Sequence, residues 1–284
     1  MPEFLIDLSR YAFLQHALAT GILASVACGV VGTFVVVRRI TYIAGGIAHA
    51  VLGGMGIAFY LQKVHSLPML HPLYGAVAAA ILSALVIGLV SLRAKQREDT
   101  VIGALWSVGM AVGIVFISRT PGYNTDLMSY LFGNILLVSR GDLWLIGILD
   151  VVVVGTALAF YHKFLAVCFD GEFAALRGLH VEFYYLLLLC MTALTVVVLV
   201  TVVGIVMVIA LLTLPAAIAS FFSKTLGRMM VISALLCMVM TSLGLFLSYG
   251  PNYPAGSTTI LIAGGSYLVV LVGKNLLDRR RARG

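Results

Sequence analysis

Apolar positions in this chain come in long continuous stretches, not in alternation. Runs of spanning length occupy residues 11–37, 43–62, 72–92, 100–118, 142–162, 182–203, 204–222, 228–249 and 257–274. A membrane-crossing helix needs about twenty apolar residues, whereas barrel strands show alternating segments of roughly ten. The pattern predicts an all-α polytopic membrane protein of eight or nine transmembrane helices, forming one domain over residues 1–284. The run 182–222 carries no charge after Glu182. At about 1.5 Å per residue, one helix of that length would be roughly twice the hydrocarbon thickness, so two spans broken at Gly204 are expected. Residues 126–138, DLMSYLFGNILLV, are apolar but too short to cross and read as a re-entrant or interfacial helix packed on protein.

Composition agrees with the pattern: 62% of the residues are hydrophobic and 10% charged, against about 25% charged in an average soluble domain. The first ten residues, MPEFLIDLSR, hold two acids and lack the basic region of a secretory signal. The four cysteines are scattered and form no C-x-x-C pair, so they read as small apolar packing residues.

The net charge of +7 is explained by topology. Nine spans with the N-terminus outside place Arg38, Arg39, Arg93, Lys95, Arg97, Lys163, Arg177, Lys224, Arg228 and the basic C-terminal tail on the cytoplasmic face. Only Arg10, Lys63, Arg119 and Arg140 of the 18 Lys and Arg residues then lie outside. This is the positive-inside bias, and a nucleic-acid partner is not expected.

The chain lacks G-x4-G-K-[ST]; its only Gly-Lys pair, Gly273-Lys274, is followed by Asn275. No H-E-x-x-H, nucleophile elbow or paired-cysteine zinc motif occurs either. The sequence therefore predicts a non-enzymatic transport subunit or a channel. The cytoplasmic connection 163–181 contains Glu172-Phe173-Ala174-Ala175-Leu176-Arg177-Gly178, of the form E-x-A-x3-G. It reads as a short helix capped by Asp170 and ended by Gly178. Such a helix is either a plain loop helix or a docking element for a separate ATPase.

Its spacing resembles the cytoplasmic signature loop of bacterial ABC importer permeases. The blocks VVVRRITYIAGGIAHAVLGG, REDTVIGALWSVGMAVG, DLMSYLFGNIL, FDGEFAALRGL, VGIVMVIALLTLPAAIAS and YPAGSTTI are similar, in order over residues 11–275, to those of the metal-ion ABC permeases. These are the membrane subunits that import zinc, manganese or iron. The resemblance implies a homodimeric pore in a bacterial or archaeal plasma membrane, with no cofactor bound by this chain itself. It also implies two ATPase subunits that bind ATP below the pore, and an extracytoplasmic metal-binding protein that delivers the ion above. Asp170, Glu172, Phe173, Ala174 and Gly178 would couple the chain to the ATPase. In that family a histidine on the second helix, with an aspartate four residues earlier, contacts the metal. The histidine matches His49, but the earlier position is Gly45, so the carboxylate–imidazole pair on one helix face is missing.

His49 lies mid-span, where an ionisable group is a functional candidate and a neutral imidazole suits borderline metals. Gly45, Gly46, Gly53 and Gly56 share or adjoin its face. They predict either a tight helix interface or clearance beside a moving, ion-lined face. Asp150 is the one acid in the middle of a predicted span and is either a structural carboxylate or a replacement metal ligand. His16, near the outer end of the first span, is a lesser ligand candidate, and His65 and His71 flank an outer loop. Pro215 should kink the seventh span as a hinge or a static bend. The competing functional reading is a self-sufficient secondary transporter or channel driven by an ion gradient.

Overall fold

The computed structural model describes residues 2–65, 70–94, 98–120, 133, 135, 138–251 and 253–281. Among them are helices and no strands. In chain order they are α1 (Pro2–Arg10), α2 (Ala12–Val37), α3 (Thr41–Val64), α4 (Pro72–Leu89) with a π-helical extension (Val90–Ala94), and α5 (Glu98–Ser118). They continue with α6 (Arg140–Ala159), α7 (Tyr161–Phe169), α8 (Gly171–Leu176), α9 (Val181–Val203), α10 (Ile205–Phe222), α11 (Leu226–Tyr249) and α12 (Ala255–Arg281). Nine of these are long and apolar enough to cross a membrane. Most of the stretch 126–138 lies outside the described residues; of its residues, Ile135 and Val138 are buried and Gly133 lies against Val203 and Gly204.

The run 182–222 turns at Gly204, where φ is +87°. Only glycine reaches that conformation without steric cost, so the helix stops there and a second one starts. Pro215 lies inside α10, which continues through it, and removes the hydrogen bond to the Leu211 carbonyl four residues earlier. The Cys237 thiol of α11 approaches that same carbonyl at 4.0 Å and ties α11 to this turn of α10. Several buried hydroxyls are satisfied within their own helices, as where Ser25 donates to Gly21 O at 2.6 Å and Thr33 to Gly29 O at 2.7 Å, while those of Thr20, Thr195 and Ser233 have no hydrogen-bond partner among the described residues. A span in hydrocarbon has no water to meet such groups, so back-bonding is the available solution.

One element was not anticipated by hydropathy. The short helix α1 sets Phe4 edge-on to Phe246 (5.2 Å) and Tyr249 (5.4 Å), and the Tyr249 hydroxyl donates to Asp7 at 2.8 Å. It pins the N-terminus to the end of α11.

Packing places α3 at the centre, with 78% of its spanning window buried, while α5 on its flank has 11%. α3 packs on α5 and α4, α2 packs on α11, α10 and α6, and α9 closes against α4. The central imidazole is thus carried by the most enclosed helix and faced by one of the most exposed.

Candidate transport site

His49 is buried in α3, with its Nδ1 2.9 Å from the Gly45 carbonyl. A carbonyl only accepts, so Nδ1 carries the proton and Nε2 keeps the lone pair that a metal ion needs. The backbone thereby sets the tautomer as a supporting group does for a metal-ligating histidine. One face of the imidazole is covered by the Trp106 indole of α5, with ring centroids 4.2 Å apart and planes tilted by 21°.

The glycines explain how α5 comes so near. A Cβ at Gly45 would sit 2.6 Å from Cζ3 of Trp106, and one at Gly46 would sit 2.8 Å from Cγ2 of Ile102. Farther along, Cβ atoms at Gly53 and Gly56 would lie 2.7 and 2.8 Å from the carbonyl oxygens of Gly109 and Gly113. These are backbone-to-backbone approaches that no larger residue permits. The glycine face of α3 is therefore its seam with α5. At Gly45 the volume of a side chain is already taken by the indole.

A cavity of about 380 Å³ adjoins this point, lined by Val36, Gly45, Trp106, Thr213, Ala217 and Tyr267 among others. Val36 precedes the α2–α3 turn that holds Arg38 and Arg39, and Ala217 lies toward the Lys224 end of α10. The cavity is thus on the side of the bundle where Arg38, Arg39 and Lys224 lie. His49 does not line it; Gly45 and Trp106 do.

The other ligand candidates lie elsewhere. Asp150 is buried in α6, which packs on α2 and α9 rather than on the α3–α5 seam. Its carboxylate faces the Ala27 amide without the geometry of a hydrogen bond, and neither oxygen has a hydrogen-bond partner among the described residues. His16 is half-buried on α2. His65 ends α3 edge-on to Tyr60 at 5.8 Å, and His71 caps α4 by accepting from Leu73 N at 3.3 Å. Among the described residues no three His, Cys, Asp or Glu side chains cluster as a metal site.

The connection 163–181 is built by capping. Asp170 accepts from Phe173 N at 2.9 Å and starts α8, Glu172 lies in its first turn, and Gly178 leaves it at φ +79°. Ala174 is buried beneath, while Phe169, Phe173 and Leu176 are exposed, Leu176 at 86%. The three leave an exposed apolar surface at this end of the connection.

This surface is tied to the α2–α3 turn. Arg38 donates from Nη1 to the Val167 carbonyl at 3.2 Å, and its guanidinium lies 5.4 Å from the centre of the Tyr185 ring. Phe34 meets Phe164 edge-on at 5.2 Å. Arg39 takes φ +63°, a left-handed conformation that costs a residue with a Cβ about 1–2 kcal/mol. Burial pushes the Cys168 thiol up to about 11, with Arg38 acting in the opposite sense. The contacts join α7, which leads into α8, to the turn from which α3 and His49 start. The sequence shows Arg38 only as a topogenic charge and does not reveal Trp106. The available clue is that both helices carry paired glycines one turn apart, Gly53 and Gly56 on α3 and Gly109 and Gly113 on α5.

Nine spanning-length helices among the described residues, a buried imidazole near a cavity and an exposed capped helix at one end fit a membrane permease. Residues 10–274 match the ABC 3 transport family, and the chain belongs to it. It is 43% identical over 251 residues to a "probable metal transport system membrane protein" of Chlamydia trachomatis, covering 88% of this chain and 85% of that one. It is 36% identical over 260 residues to the manganese transport system membrane protein MntC of Listeria monocytogenes, covering 92% and 90%. The solved structure of PsaBC from Streptococcus pneumoniae in complex with Fab superposes with a TM-score of 0.83 at 32% identity, covering 95% of this chain and 94% of that one.

Proposed function

We propose that this chain is the membrane subunit of an ATP-driven importer for a divalent transition metal: zinc, manganese or iron. Two copies form the pathway in a plasma membrane, with the N-terminus outside and the C-terminus cytoplasmic. An extracytoplasmic metal-binding protein delivers the ion, and two ATPase subunits bind the ATP and hydrolyse it. Family membership supports this reading, and the observation that carries it is the arrangement at α8. Phe169, Phe173 and Leu176 are presented outward while Arg38 holds the same segment to the foot of α3. Movement of an ATPase docked on α8 then reaches α3 through packed and hydrogen-bonded groups.

His49 is the ligand this chain offers to the ion, through Nε2. Gly45 supplies a carbonyl in place of a carboxylate, so further ligands come from water, the second copy or the ion's own shell. Asp150, on a helix packed elsewhere, is assigned to packing, and His16 to the outer end of α2. Pro215 with Gly46 and Gly53 shapes the helix contacts beside the pathway.

Replacing Glu172 or Phe173 by alanine in the complex should abolish uptake while the subunit stays folded in the membrane. Normal uptake and normal assembly with the ATPase after those replacements would reject the coupling role. Uptake by His49→Ala at normal expression, if unchanged, would remove His49 from the pathway.

A further inference from the structure

The imidazole and the cavity beside it are separated by one side chain. Gly45 and Trp106 line the cavity and His49 does not, while the indole's inner face lies 4.2 Å from the imidazole. An ion released from His49 toward the cavity meets the indole first. The rest of the cavity wall comes from the first turn of α3 and from α2, α10 and α12, and includes the hydroxyl-bearing Thr41, Tyr42, Thr213 and Tyr267. Beyond the indole the wall can therefore meet a hydrated ion with oxygen donors. The helix that carries Trp106 is the least buried of the nine, with 11% of its spanning window enclosed against 78% for α3. Its attachment is the glycine seam, in which backbones approach closely at Gly53, Gly56, Gly109 and Gly113 and the Leu52 side chain lies over Gly113. Small sliding of packed helices past one another is an established form of conformational change.

We propose that Trp106 is the cytoplasmic-side gate of the pathway, closed here by its stack on His49 and opened when α5 moves along the glycine seam. This rests on the reading of His49 as the pathway ligand. Gly45 is part of the device: with a side chain at position 45 the indole could not lie where it does, since even a Cβ would come within 2.6 Å of the ring. The closed gate and a second ligand on the same turn of α3 are therefore mutually exclusive in this chain. A large apolar ring suits the task because it excludes water from the imidazole without competing for the ion. A ring stacked on the imidazole face leaves the in-plane approach to Nε2 open, so closing the way to the cavity does not block the ligand itself.

The test uses the complete complex of permease, ATPase and metal-binding protein in liposomes loaded with a zinc-sensitive dye. Zinc flux is measured with ATP and without it. Trp106→Ala should raise nucleotide-independent zinc flux at least tenfold and lower the number of ions moved per ATP. Trp106→Phe, which keeps a ring against His49, should stay within about twofold of the parent. Trp106→Leu gives an intermediate leak and replaces the alanine variant if that one fails to reach the membrane. Leak-free Trp106→Ala or Trp106→Leu complexes with the parent's ions-per-ATP ratio would overturn the gate. His49→Ala in the same liposomes reads the ligand role separately. Loss of ATP-driven uptake keeps it and normal uptake rejects it, whatever Trp106 does.

Discussion

Gly45→Ala isolates the contact on which the site turns. The new methyl would stand 2.6 Å from Cζ3 of Trp106 and 3.2 and 3.3 Å from Cη2 and Cε3. Carbon atoms rest at about 3.5–4.0 Å, so the ring has to retreat by about 1 Å. That motion opens a stack now 4.2 Å between centroids. Overpacking of this kind costs about 1–3 kcal/mol. Exchange of glycine for alanine inside a helix returns up to about 1 kcal/mol. The net destabilisation is therefore about 0–3 kcal/mol, or a fall of up to several degrees in melting temperature. Thermal unfolding of the purified subunit in detergent reads it. The decisive comparison is the double variant. With Trp106→Ala in place the methyl has nothing to strike, and Gly45→Ala should become neutral or stabilising. The cycle should show a coupling of about 1–3 kcal/mol between the two positions. Additivity within about 0.5 kcal/mol would refute the contact and the account of why position 45 carries no side chain.

Other perturbations read other parts of the molecule. Asp150→Leu removes a buried carboxylate without a hydrogen-bond partner, a burden of about 1–3 kcal/mol; it should raise the melting temperature by a few degrees and leave uptake intact. A lower melting temperature or lost uptake would contradict its assignment to packing. Gly178→Ala puts a Cβ on φ +79° in open space, so strain alone of about 1–2 kcal/mol should loosen the end of α8 and lower uptake. Gly178→Asn, which tolerates that conformation better, should retain more uptake, and equal losses would contradict the strain account. Arg38→Gln loses the charged donor to Val167 O, worth about 1.5–3 kcal/mol, and should reduce ions moved per ATP while ATPase activity persists. A proportional fall in both would make Arg38 structural only. Cys168, held at about 11 by burial, should resist maleimide at pH 8 in the folded protein and react after unfolding. Any stability its buried thiol confers is complete below the ordinary value near 9 and lost as the pH rises toward 11.

What the sequence made readable was local. Length against bilayer thickness implied two helices within 182–222, and the φ of +87° at Gly204 is where they meet. Asp170 and Gly178 were visible as cap and stop because capping depends on a few neighbouring residues. Contacts across the chain were not readable. Arg38 and Val167 are 129 residues apart, and nothing in hydropathy pairs them. The Trp106–His49 stack depends on two helices meeting along their glycines, a register fixed only in three dimensions. The short helix α1 escaped notice because its hold on Phe246 and Tyr249 comes from aromatic packing, not from a spanning apolar run. His49 itself stood out, because an imidazole in hydrocarbon is rare enough to be noticed from sequence alone.

The central claim is that this chain moves a transition metal only when a separate ATPase acts on α8. Its most direct test is zinc, manganese and iron uptake into liposomes, with this chain alone and with the ATPase, the metal-binding protein and ATP. The account predicts no uptake from the chain alone under an imposed ion gradient, and uptake of at least one of the three metals by the complete, ATP-supplied complex. Metal uptake by the chain alone, undiminished without nucleotide, would contradict it.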